Sequence, residues 1–217
     1  MIVLIGDVIE SKQLENTERK RIQILLGDTF EEINKESGSI KAPYTLTLGD
    51  EFQAVYEDAG GLWNNCWKIL AELHPVSVRF SASVGSIVTP INRKQAIGMD
   101  GSAFHAAREG IEKLKNTGRL FTVSFESVDQ SSEAVLRLMN SSLQLLSKEM
   151  KSWKKIRYQI LVMMSCGLPV KKIAQKLSIS ESAVYKNRDD GDLAIIIQLK
   201  ESIQALINQE LKNREAS

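Results

Sequence analysis

Residues 44–56 read YTLTLGDEFQAVY. Two β-rich runs flank Gly49-Asp50, a pair that tolerates the backbone angles of a tight turn, so the stretch predicts a β-hairpin with Asp50 and Glu51 at its tip. Upstream, Ile2 to Ile5 is a continuous apolar run. Its continuity predicts a strand buried on both faces, ending at Gly6-Asp7. Between the two, Thr17 to Lys35 places Ile22, Leu25, Leu26, Phe30 and Ile33 at helical spacing.

The rest of the first 150 residues extends this pattern. Ala59 to Leu73 predicts a second helix stopped by His74-Pro75. Val78 to Val88 alternates apolar and polar residues, as a half-buried strand does. Ser102 to Lys115 predicts a helix, Leu120 to Ser124 a strand, and Ser131 to Met150 a fourth helix with Val135, Leu138, Met139, Leu143 and Leu146 on one face. The order is β-α-β-β-α-β-α-β-α. Its first six elements form the βαββαβ unit of ferredoxin-like and palm domains, so the fold class expected is α+β. That topology hosts many functions, and fold alone assigns none.

Composition narrows the classes. The 217 residues carry 28 basic and 27 acidic side chains, a formal net charge of +1, so contact with nucleic acid requires a local basic surface. The two cysteines, Cys66 and Cys166, lie far apart, and two free, mostly buried thiols in a reducing compartment are expected. No run approaches the roughly 20 apolar residues that span a bilayer. The N-terminus has no basic region before its apolar run, so a cytoplasmic location without membrane partners is expected.

Asp7 and Asp50 carry the chemical expectation. In a βαββ unit the first strand and the hairpin share a sheet, so their ends bring the two carboxylates together. Such a pair repels unless a divalent cation or a shared proton compensates. Mg2+ takes one or two carboxylates plus phosphate oxygens and water, and paired ions activate a hydroxyl and stabilise a leaving pyrophosphate. A site for a nucleoside triphosphate or other nucleotide, loaded with Mg2+ or Mn2+, follows as an expectation. Each Gly-Asp pair taken singly is also an ordinary turn. The chain contains no GxxxxGK[ST] sequence, which argues against a P-loop ATPase.

The strand ending in Asp7, followed by hairpin residues Leu48 to Phe52, resembles the GGDEF and class III nucleotidyl cyclase domains, with Leu48 replacing the first glycine. The resemblance implies metal ligation by Asp7, the backbone carbonyl of Val8, Asp50 and Glu51. It also implies nucleotide contacts from Lys12, Gly49 and Arg108, the last as a transition-state arginine. The chain departs from those families at Phe104, where class III cyclases place an asparagine, and at Glu15, where diguanylate cyclases place a guanine-reading asparagine. The runs from Gly6 to Lys12, Thr47 to Gln53 and Phe104 to Gly110 together most closely resemble the SatD family of bacterial proteins.

After Met150 the character changes. Lys148, Lys151, Lys154, Lys155 and Arg157 cluster around Trp153, placing a domain boundary between 1–150 and 151–217. Val170 to Leu177, a turn at Ser178 to Ser180, and Glu181 to Asn187 have the layout of a helix-turn-helix, with Ser180 as N-cap of the second helix. The run resembles the IAxxLxISxxxVYK pattern of many bacterial regulators. Ser182, Tyr185, Lys186 and Arg188 are the candidates for reading a major groove, and Lys171 and Lys172 for phosphate contacts. The final helix, about Leu193 to Asn213, has an apolar stripe that suits either a homodimer seam or a buried core helix. Three functions stand open: a nucleotide-responsive DNA-binding regulator, an active nucleotidyl cyclase or nucleotidyltransferase, and a non-catalytic protein-interaction adaptor.

Overall fold

The structure, a computed structural model, describes all residues but Ser37, Leu48, Asp129, Ala216 and Ser217, and omits the side chains of Gln130, Ser131 and Glu215. Leu48 of the hairpin motif therefore lies outside the described residues. Five strands form one mixed sheet in the order β2-β3-β1-β4-β5. The central strand β1 (Ile2–Val8) is antiparallel to β3 (Glu51–Tyr56) and to β4 (Val78–Val84). β2 (Ile40–Leu46) is antiparallel to β3, and β5 (Phe121–Phe125) runs parallel to β4.

Every residue of β1 is buried, as its continuous apolar run requires. Ile2, Leu4 and Val8 pack with α1 (Asn16–Glu36) and α2 (Leu62–Leu73) on one face. Val3 and Ile5 pack on the other with α3 (Ser102–Thr117) and with Ala96 of the long 85–101 connection. Gly6 lies inside the strand and not in a turn. A Cβ there would sit 2.1 Å from the Phe52 ring, so the missing side chain is what admits that aromatic. Phe52 in turn meets Phe30, Tyr44 and Phe80 in one aromatic cluster.

β4 is buried on both faces and not on one. Ser81 and Ser83, which read as its solvent side, lie under α3. They are small because α3 comes close: a Cβ on Gly110 would stand 2.1 Å from Ser81 Oγ. β2 starts at Ile40, earlier than its pattern suggested. It contains Pro43 and irregular pairing on either side of Ala42, which an edge strand accommodates.

The opposite edge is closed by α4 (Gln130–Met150). Asn140 Nδ2 donates to Val123 O at 2.9 Å, while its Oδ1 accepts from Val123 N at 2.9 Å and from Thr122 Oγ1 at 3.0 Å. One side-chain amide thus does what a neighbouring strand would do. The inward face of α4 carries Met139, Leu143 and Leu146. Leu138, expected on it, is 68% exposed, because it falls beyond the edge of that face.

Four more helices follow: α5 (Lys155–Ser165), α6 (Val170–Leu177), α7 (Glu181–Asp190) and α8 (Leu193–Glu215). Their buried residues, among them Tyr158, Leu161, Ile173, Val184 and Ile203, belong to the same hydrophobic cluster as α1, α2 and the sheet. The junction near residue 150 is tied by Tyr158 Oη donating to Met150 O at 2.7 Å and by His74 Nε2 lying 3.0 Å from Trp153 O. Burial pushes the Tyr158 hydroxyl up to about 12. α8 returns to the sheet: Ala59 N donates to Asn208 Oδ1 at 2.8 Å, and Arg214 pairs with Glu126 at 3.1 Å. Its stripe of Leu193, Ile196, Ile203, Ile207 and Leu211 is buried within the chain, while Ile195 is exposed. Cys66 is buried, but Cys166 is exposed, against the expectation of two mostly buried thiols. Among the described residues no helix is long and apolar enough to cross a membrane.

The Asn140 amide gives a direct test. Asn140→Leu strips Val123 N and O of their partners and should lower unfolding stability by about 1–3 kcal/mol in a denaturant titration. Light scattering should show faster aggregation as the β5 edge opens. Unchanged values for both would mean that the amide is not what closes the edge.

Candidate functional site

The candidate site lies where β1 ends. Asp7 has Glu51 of β3 and Arg79 of β4 as its two register partners, so sheet pairing alone sets these three residues side by side. Asp7 belongs to the α3-facing series of β1, with Val3 and Ile5. Arg79 Nη1 donates to Asp7 Oδ2 at 2.6 Å, and the two side chains are only 13% and 10% exposed. Lys115, from the last turn of α3, brings its Nζ to 3.9 Å from Asp7 Oδ1. The Glu112 hydrogen bond, helped by the charges of Asp7 and Glu51, holds the Lys115 ammonium above its ordinary value.

The hairpin tip is pinned from three sides. Gly49 has φ +69°, a left-handed conformation that favours glycine and turns the chain into β3. Gln23 of α1 donates to Gly49 O at 2.9 Å. The Asp50 carbonyl accepts from Val8 N at 3.2 Å, and its carboxylate accepts the Ser11 hydroxyl. Ser11 opens a 3-10 turn, Ser11–Gln13, which follows Glu10 at φ +57°. Glu51 accepts from Arg108 of α3 at 3.2 Å.

One open cavity of about 720 Å³ results, within the range of small-molecule sites. Six of the expected residues line it: Asp7, Val8, Lys12, Gly49, Asp50 and Glu51. Arg108 stands beside it, joined through Glu51 and 62% exposed. Phe104, at the position of the cyclase asparagine, is a core residue packed with Val3 and Ile5. His105 is a surface group 3.0 Å from Asp100.

Sequence reasoning missed three cations that line the same cavity: Arg19, Arg79 and Lys115. Arg79 read as the polar side of an alternating strand, and nothing local marks which residue it faces across the sheet. Arg19 and Lys12 have no ion-pair partner among the described residues, and so leave positive charge at the cavity.

The acidic donors are hard oxygens, the type that Mg2+ and Mn2+ prefer. Each is engaged by the protein: Asp7 by Arg79, Glu51 by Arg108, Asp50 by Ser11. Among the described residues no three of His, Cys, Asp and Glu are grouped so as to hold a metal unaided. Mg2+ also takes one or two carboxylates completed by phosphate oxygens and water, and Asp7 and Asp50 both line this cavity.

Of the second expected site, Lys171, Lys172, Ser182, Tyr185 and Lys186 are exposed on α6 and α7. Arg188 is half-buried. Its guanidinium lies 4.8 Å from the Tyr185 ring centroid, and its Nε bonds Asp189 at 2.7 Å. The Ser180 hydroxyl caps α7 by accepting from Ala183 N at 3.1 Å, as its position suggested.

A protein-family model described as the SatD family matches residues 1–207, a span that takes in both the sheet and the α6–α7 pair. No curated protein matches the chain. Among solved structures, one similar chain is that of a bacterial light-regulated adenylyl cyclase: 13% identity, 56% of this chain and 73% of that one covered, TM-score 0.38.

Asp7 and Arg79 should behave as one unit. Asp7→Asn leaves a nearly buried guanidinium without its counter-charge and should cost about 3 kcal/mol. Adding Arg79→Gln should recover part of that loss, and urea titrations of the two single variants and the double variant measure the coupling. Strictly additive losses would show that the pair is not coupled.

Proposed function

The chain belongs to the SatD family, and we propose that it is a bacterial regulator whose sheet binds a nucleotide with Mg2+ or Mn2+ and whose α6–α7 pair binds DNA. The observation that carries the first half is convergence. Asp7 and Lys12 come from one stretch of chain, Asp50 and Glu51 from another over 35 residues away, and all line one cavity with Arg19 of α1. Lys12 and Arg19 would meet the phosphates, while Asp7 and Asp50 would hold the ion, with the Val8 carbonyl as a further ligand. A bound ion would neutralise phosphate charge there. The strand order β2-β3-β1-β4, with antiparallel neighbours throughout, supports the ferredoxin-like palm reading of the first six elements.

A catalytic version, a nucleotidyl cyclase or nucleotidyltransferase, is favoured by one feature. Arg108 is exposed and, among the described residues, held by one hydrogen bond beside the cavity, so it can turn toward a transferring phosphoryl group. Phe104 opposes it, since a core phenylalanine offers no polar contact where cyclases use an amide.

For the second half, the capped α7 and the exposed Lys171 and Lys172 support a helix-turn-helix reading. Ser182, Tyr185 and Lys186 would face the groove, and Arg188 would have to leave Asp189 to join them. A protein-interaction hairpin is what remains if DNA is not bound. α8 gives little support to a homodimer seam, because its stripe is already buried.

A thermal-shift screen with each nucleoside triphosphate and Mg2+ or Mn2+ tests the nucleotide half. A specific ligand at a hundredfold excess over its Kd should add about 2.7 kcal/mol of stability, and Asp50→Asn should remove most of it. No shift with any nucleotide and ion would end this reading. Pyrophosphate release in the same samples separates enzyme from sensor.

For DNA, fluorescence anisotropy on the protein's own promoter should show binding that weakens with salt. Lys171→Gln and Lys172→Gln should each lower the slope of log affinity against log salt by about one. Salt-insensitive binding, or none at low salt, would leave only the protein-interaction role for α6 and α7.

A further inference from the structure

Arg79 occupies the cation's place at Asp7. We propose that this arginine makes metal loading depend on an anionic phosphate ligand: the guanidinium guards Asp7 until phosphate draws it away. The proposal rests on the nucleotide reading above and specifies how that site fills. Arg79 is no chance surface partner, because β1–β4 register sets it opposite Asp7. At 2.6 Å its Nη1 covers Oδ2, and the Lys115 ammonium stands 3.9 Å from Oδ1. A lone divalent cation approaching this carboxylate therefore meets two like charges.

The guard is also releasable. Among the described residues Asp7 is the one side-chain partner of Arg79, whose buried Nε has no hydrogen-bond partner. A guanidinium held by one carboxylate and keeping an unused N–H is suited to exchange that carboxylate for a phosphate, whose oxygens match its planar fork. Phosphate entering the cavity satisfies Arg79 and Lys115 together and uncovers Asp7 for the cation. Triphosphate and metal then bind with positive coupling, and by linkage each strengthens the other equally.

The test is Mn2+ binding to the full-length protein without nucleotide, read by electron paramagnetic resonance of the free ion. Arg79→Gln should bind Mn2+ at least about tenfold more tightly than wild type, within the usual range of coupling. Arg79→Lys, which keeps the charge, should stay close to wild type, and Lys115→Gln should show a smaller gain. Asp7→Asn in the Arg79→Gln background should abolish the gain. Equal or weaker Mn2+ affinity in folded Arg79→Gln overturns the proposal. Should that variant fail to fold by circular dichroism, unchanged affinity in Lys115→Gln overturns it instead. If wild type binds a fluorescent triphosphate with Mn2+ while Arg79→Gln gains nothing, the guard fails and the nucleotide site stands. If neither protein binds Mn2+ or triphosphate, both ideas fall.

Discussion

A carboxylate nine-tenths removed from water needs a counter-charge, and much of this architecture follows from supplying one to Asp7. The charge comes from the neighbouring strand, so β4 must pair with β1 in a single register. The two faces of β1 enforce that register. Ile2, Leu4 and Val8 lie in the helix-covered core, and Gly6 yields its space to Phe52. A slip of one residue would move Asp7 from the α3-facing side of β1 onto the side packed against the aromatic cluster, and would turn Ile5 away from α3 with it. The packing of a small hydrophobic strand and the chemistry at its end are therefore one constraint.

What the sequence revealed and what it hid divide along the same line. Local signals were legible: the apolar run of β1, the glycine that turns the 44–56 hairpin, the helical spacing of α1, and the serine cap of α7. Together they placed Asp7, Asp50 and Glu51 at one end of a sheet. Hidden were facts that depend on partners distant in sequence. Arg79 is one polar residue among several in an alternating strand until register assigns it a carboxylate. Ser81 and Ser83 look solvent-facing until α3, admitted by Gly110, covers them. Leu138 sits in a helix rich in leucine, where spacing alone does not say how wide the buried face is. Asn140 carries no local sign that its amide replaces a strand.

The C-terminal helices extend the core of the sheet. α8 is fastened to it through Asn208 and Arg214. Its Glu126 anchor also takes hydrogen bonds from Ser86, whose N–H is shared with Ser102 in the first turn of α3. The last turn of α3 carries Lys115, at the cavity. One helix thus spans the distance between the Asp7 site and the fastening of α8.

The two cysteines divide their reactivity unequally. Burial holds the Cys66 thiol well above its ordinary value and out of reach, while Cys166 stands exposed at the end of α5, just ahead of α6. Thiol-directed reagents need an accessible thiolate. The native chain therefore offers a single attachment point for a maleimide dye, just ahead of the α6–α7 pair, without any engineered substitution.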